Sequence, residues 1–220
     1  ITSFGKTAHG SMPYLGVNAI ENMAMLLEEI RSTVGPEIAS RMTAMPVVPE
    51  GSRFGTLNVN SIRGGQAEHV LQSPCVPDRC EAVCERRWLA EDGAGAEGVR
   101  KIKAQLTGAM ERVMLAKPGS RFELEDYGNT VFPTETSPDA EVVRALGNSV
   151  RSVLGRQPEL VASPGTYDHK HFTHIGNIQQ CVAYGPGELE QAHQPDEWCG
   201  VEDIIQSAKV MALTAVALVS

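Results

Sequence analysis

The chain has 220 residues, 42% of them hydrophobic, and a formal net charge of −8. That length holds one large domain or two smaller ones, with enough apolar content for a packed core and no disorder signature. The acidic balance argues against nucleic acid or an anionic membrane surface as a partner, and no apolar run approaches the ~18 residues of a membrane span. Five irregularly spaced cysteines read as reduced thiols of a cytoplasmic protein. The chain begins at Ile1 with no initiator Met and no signal peptide, and reads as a fragment of a longer protein.

Residues 1–8 alternate weakly and predict a strand, followed by a turn at Gly10-Ser11-Met12-Pro13. Asn18 caps a helical pattern of Ile20, Met23, Ala24, Leu27 and Ile30, which Gly35-Pro36 is expected to end. Thr56 to Ile62 predicts a strand with Leu57, Val59 and Ser61 on one face and Asn58, Asn60 and Ile62 on the other, and Cys80 to Leu89 predicts another. Ala94 to Leu115 carries helical spacing, and Arg121 to Asp126 predicts a strand. The order is β-α-β-β-α-β, a ferredoxin-like split unit. A Pro-bearing stretch from Tyr127 to Asp139 reads as a linker. Beyond it come a helix from Asp139 to Leu154, a short strand at Glu159 to Ala162, a helical start between Pro164 and Ile175, a short buried strand at Gln180 to Tyr184, and a last helix from about Val201. This second half is α/β, with too few strands for a complete doubly wound domain.

Several groups could carry chemistry. His169, His171 and His174 crowd together, but only His171 and His174 share a helix face, and Lys170 stands among them. A solvated helix start is the plainer reading than a metal site. Cys80 and Cys84 lie on one side of a strand about 13 Å apart, beyond the reach of one tetrahedral zinc. They read as core residues, as does Cys181. Arg86 and Arg87 point to opposite faces of their strand, so that one can reach a cleft while the other meets solvent. Near the C-terminus, Gly185-Pro186-Gly187 precedes Ala192-His193-Gln194-Pro195-Asp196-Glu197. The glycines permit a tight turn and Pro195 is expected to keep His193 and Gln194 extended. From the residues alone, His193 is a core histidine, a general base or a metal ligand.

Taken in order, these segments resemble one family. The set is Gly5-Lys6-Thr7-Ala8-His9-Gly10-Ser11-Met12-Pro13 with Gly16-Val17-Asn18-Ala19-Ile20, then Val76-Pro77-Asp78-Arg79-Cys80 leading to Glu85-Arg86-Arg87, then Gly165-Thr166-Tyr167-Asp168, then the two C-terminal loop motifs. It is similar to the dizinc amidohydrolases that include acetylornithine deacetylase, succinyl-diaminopimelate desuccinylase, glutamate carboxypeptidase and aminoacylase. The resemblance implies an α/β protein in which residues 1–126 form a ferredoxin-like lid and dimerisation domain. Residues 127–220 would be the C-terminal segment of the catalytic domain, with its N-terminal segment, and most metal ligands, elsewhere.

By the same resemblance, His193 is a metal ligand, and His9 is the lid histidine that reaches a partner subunit's active site to stabilise the oxyanion. Arg87 would hold a substrate carboxylate, and Gly165 and Thr166 would form a loop that contacts substrate. The implied cofactors are two divalent ions, zinc or else cobalt or manganese. The implied reaction is hydrolysis of an N-acyl amino acid or peptide-like amide by metal-activated water, in a homodimer formed through the lid. Lys170 stands where desuccinylase-like members have an arginine, and Pro74-Cys75 stand where many members have an asparagine before the Val-Pro pair. Both departures bear on substrate choice. Two other readings stay open: a non-catalytic ferredoxin-like dimerisation or ligand-binding module, and a catalytically dead homologue.

Overall fold

The computed structural model describes residues 1–65, 74–93, 95–128 and 130–220. They gather into two compact units: Ile1–Thr43 with Phe54–Thr130, and Ala44–Arg53 with Val131–Ser220.

The first unit is built on a four-stranded sheet: β1 (Thr2–Phe4), β2 (Thr56–Gly64), β3 (Arg79–Arg87) and β4 (Arg121–Glu123), in the order β2-β3-β1-β4. All three neighbouring pairs run antiparallel. Helices α1 (Ala19–Glu29) and α3 (Gly95–Ala116) complete the β-α-β-β-α-β order expected from the sequence. The Asn18 side chain caps α1, its Oδ1 accepting from the N–H groups of Ile20 at 3.0 Å and Glu21 at 3.3 Å. One core joins the layers: Ala19, Met23 and Leu26 of α1, Leu106, Ala109, Met110 and Val113 of α3, Cys80 and Ala82 of β3, and Phe122 of β4. Ala94, the expected first residue of α3, and Asn129, within the expected linker, lie outside the described residues.

Three local features of this unit depart from the expected pattern. Gly35-Pro36 does not end the first helix. A π turn over Ile30–Val34 leads directly into α2 (Gly35–Ala39). Pro36 is tolerated there because it sits in the first turn of the new segment, where its missing N–H has no acceptor to lose. Second, β2 slips register against β3 between Val59 and Ser61. The extra residue of this bulge puts Ile62 opposite Ala82 and Val59 opposite Cys84, so the two lie on one face of the strand instead of alternating, and both stay exposed. Third, β1 is only three residues long, and the expected continuation to residue 8 becomes isolated bridges, Lys6 with Val17 and His9 with Cys75.

The second unit is mainly helical: α4 (Glu141–Leu154), α5 (His169–His174) and α6 (Val201–Val219). Val143 and Val150 of α4 and Val210 of α6 are its buried helical apolar side chains. The expected strand at Glu159 to Ala162 reduces to a single parallel bridge between Ala162 and Val47, with an Ala162 N–H to Pro46 carbonyl bond of 2.8 Å. The expected buried strand at Gln180 to Tyr184 does not form, and Gln180 and Ala183 are exposed. An apolar run becomes a strand only against a neighbouring strand, and the described residues of this unit supply none. Among the described residues, no helix is long and apolar enough to cross a membrane.

Candidate functional site

In the first unit, His9 is carried by an arm laced to residues 74–78. The Gly5 N–H donates to the Asp78 carbonyl at 2.8 Å, Val76 to Ala8 at 2.8 Å and Gly10 to Pro74 at 2.5 Å. The approach is so close that a Cβ at Gly5 would lie 2.0 Å from the Val17 carbonyl oxygen. The His9 ring is exposed, with Nδ1 2.8 Å from Ser11 Oγ and 3.2 Å from the Ser11 backbone nitrogen.

Arg86 and Arg87 divide as strand alternation requires. Arg86 is buried and its Nη2 bonds Asp92 Oδ2 at 2.9 Å. Asp92 also receives Arg41 Nη1 at 3.0 Å and the Leu89 N–H at 3.0 Å. This knot pins the chain where it leaves β3. Arg87, at the strand end, is half exposed and pairs with Glu85 at 2.5 Å. His9 lies beyond the N-terminal end of β3, opposite Cys75, whereas Arg87 is its last residue. At ~3.3 Å per residue, the eight steps from Arg79 to Arg87 make β3 about 26 Å long, and the two residues belong to its opposite ends.

In the second unit, the Gly165 N–H donates to Ser163 Oγ at 3.2 Å, and that hydroxyl meets the Tyr167 hydroxyl at 2.7 Å. The Tyr167 ring covers Gly165 so tightly that a Cβ there would come within 2.7 Å of it. Thr166, between them, is exposed. Lys170 Nζ bonds the Tyr167 carbonyl at 3.1 Å, which holds this loop to the start of α5. The neighbouring histidines have their own partners: His169 Nε2 lies 3.4 Å from Thr136 Oγ1, and His174 Nε2 lies 3.4 Å from the Phe132 carbonyl.

The His193 loop corrects one expectation. His193 is not extended but left-handed, with φ 63°, and so is Asp196, with φ 61°. A proline restricts only the residue directly before it, here Gln194, and leaves His193 free to turn. Histidine, asparagine and aspartate are the non-glycine residues that most readily take this conformation. Glu197 accepts the His193 N–H at 3.2 Å. Gly187, with φ 90°, faces Cys199, so the preceding turn and the loop exit lie side by side. The imidazole itself is exposed.

Among the described residues, no group of three His, Cys, Asp or Glu side chains stands close enough to hold a metal ion. One exposed imidazole fits a single ligand position and not a metal centre. Burial pushes the Cys80, Cys84 and Cys181 thiols up from the ordinary thiol range, which disfavours their thiolate forms. Sequence reasoning overlooked two residues of these surroundings, Ser11 and Asp92. Ser11 was legible as a short polar side chain two positions after a histidine in a turn. Asp92 was not, since its two arginine partners come from β3 and from beyond α2.

The pattern of the peptidase dimerisation domain matches residues 1–113. The chain belongs to this M20 family of peptidase dimerisation domains. Among curated proteins, it is 30% identical over 211 residues to an acetylornithine deacetylase of Myxococcus xanthus, covering 94% of this chain and 49% of that one. An acetylornithine deacetylase of Pasteurella multocida is 27% identical over 215 residues, with 94% and 48% covered. The chain thus spans about half the length of the curated relatives it matches. The M20 fold is shared with a metallo-carboxypeptidase of Sulfolobus solfataricus (TM-score 0.60, 17% identity, 99% of this chain and 58% of that one). It is also shared with a di-peptidase of Saccharomyces cerevisiae (TM-score 0.65, 12% identity, 98% and 53%).

Proposed function

We propose that this chain is the lid, residues 1–126, and the C-terminal catalytic segment, residues 127–220, of a metal-dependent hydrolase that cleaves an N-acyl amino acid or peptide-like amide in a homodimer. The observation that carries this reading is the separation of His9 and Arg87 by the length of β3. Two groups that far apart cannot both touch one amino-acid-sized substrate from a single chain.

A second copy resolves the geometry. The edge strand β2 is nine residues long and exposes Val59 and Ile62. Antiparallel two-fold pairing at that edge would continue the sheet and reverse the partner's β3. The partner's His9 end would then lie on the same side of the joined sheet as this copy's Arg87 end.

In this arrangement, His193 donates one imidazole nitrogen as a metal ligand, and the remaining ligands come from outside residues 1–220. When bound, two divalent ions, zinc or else cobalt or manganese, supply an activated water and polarise the scissile carbonyl. Arg87 holds the substrate carboxylate. Its exposed pair with Glu85 is worth only ~0–1 kcal/mol, so a bidentate substrate carboxylate competes for it. The Gly165-Thr166 loop lines the substrate, and His9 of one copy hydrogen-bonds the oxygen that gains charge in the other copy's site. Five free cysteines support a reducing, cytoplasmic setting.

Subunit complementation tests the reading in the full-length protein. His9→Ala and His193→Ala variants, each inactive alone, should regain roughly a quarter of wild-type activity on random reassociation, since half the dimers then hold one intact composite site. If the mixture stays inactive while mixed dimers demonstrably form, the shared-site arrangement is wrong.

A further inference from the structure

The surroundings of His9 select one of its two ring nitrogens. Nδ1 faces two groups of the same residue: the Ser11 hydroxyl at 2.8 Å and the Ser11 backbone nitrogen at 3.2 Å. A hydroxyl can donate or accept, and decides nothing. A backbone N–H can only donate. The atom it points at must therefore carry a lone pair, and a neutral imidazole with a lone pair on Nδ1 carries its proton on Nε2.

We propose that Ser11 is a positioning residue that fixes neutral His9 as the Nε2–H tautomer. The ring then presents a hydrogen-bond donor on the side away from its own loop. The turn that does this is itself held in place. The Met12 N–H returns to the His9 carbonyl at 2.8 Å, closing residues 9–12. Gly10 packs on Pro74 so closely that a Cβ would come within 2.7 Å of the Pro74 carbonyl oxygen. The tautomer is thus set by backbone geometry, and the Ser11 hydroxyl, donating to the same lone pair, reinforces it.

The chemical consequence is one of sign. An imidazole in this tautomer offers N–H to a developing oxyanion, whereas the other tautomer would offer a lone pair and repel it. The use of the donor rests on the hydrolase reading above; the tautomer does not.

Long-range proton–nitrogen NMR of the ¹⁵N-labelled chain reads the tautomer directly, at the alkaline plateau of the ring's own shifts, where the imidazole is neutral. The His9 signals are assigned by their absence from a His9→Gln variant. Nδ1 should show a pyridine-type shift and Nε2 a pyrrole-type shift. Ser11→Ala keeps the backbone donor and should keep this pattern. Averaged shifts, or a pyrrole-type Nδ1, in either protein would overturn the proposal.

Turnover in the full-length enzyme separates this from the functional reading. His9→Gln places an amide N–H near Nε2 and should stay within ~10-fold of wild-type kcat. His9→Asn, which reaches only the Nδ1 position, and His9→Ala should lose ~10²–10³-fold in kcat at nearly constant KM. Unchanged turnover in all three, with the NMR pattern intact, would refute the oxyanion role and leave the tautomer standing.

Discussion

The two units of this chain bury their apolar side chains very differently. In the first, Met23 and Leu26 are fully buried between helices and sheet, and the core extends from Ala19 through Phe122. In the second, α4 and α6 meet through a few small side chains, while Val201, Ile204, Met211 and Val216 of α6 stand exposed. The α6 helix is thus apolar on more sides than it covers, the pattern of a helix suited to a buried place. The candidate metal ligand His193 sits on this incompletely covered unit, and the candidate oxyanion donor His9 on the self-sufficient one. Stability and the proposed metal chemistry therefore reside in different parts of the molecule and should respond to different substitutions.

The largest expected effect is on chemistry alone. His193→Ala in the full-length protein should lower hydrolysis by roughly 10³-fold or more and reduce bound metal. The urea midpoint of the chain should stay put, because the ring is exposed. A wild-type rate and metal content would remove His193 from the site. The converse is Leu26→Ala. It empties a fully buried position and should cost about 2–5 kcal/mol in urea unfolding. A cost below ~1 kcal/mol would mean that the first unit is not the stable half. The smallest effect belongs to Ile204→Ser on α6, expected within ~0.5 kcal/mol because that side chain already meets solvent. If it proves as costly as Leu26→Ala, the contrast between the units fails.

The elements legible in the sequence were those specified by their own periodicity. Met23, Leu27 and Ile30 announced α1, Leu106, Met110 and Val113 announced α3, and the strand runs around them gave the split β-α-β order. What stayed hidden depends on partners far along the chain. The bulge in β2 is a mismatch in residue count against β3, invisible in Val59-Asn60-Ser61-Ile62 alone. The segment at Gln180 to Tyr184 has strand-like composition but, among the described residues, no neighbouring strand to pair with. The candidate site residues were legible as residue types in order. Their setting was not: the left-handed turn at His193, the acceptor role of Glu197 and the Ser11 contact to His9 all depend on backbone dihedrals, which composition does not encode.

The short arm at Ala44–Arg53 has a consequence for how this protein can be divided. The chain passes from one unit to the other after Thr43, after Arg53 and after Thr130. Val47, on the arm, is buried and bridged to Ala162. The units are therefore stitched together rather than strung in series. Cutting once after Thr130 would strand Val47 on one piece and its partner on the other, leaving an apolar thread on an otherwise finished domain. Freeing the first unit cleanly takes a second excision, with Thr43 rejoined to Phe54.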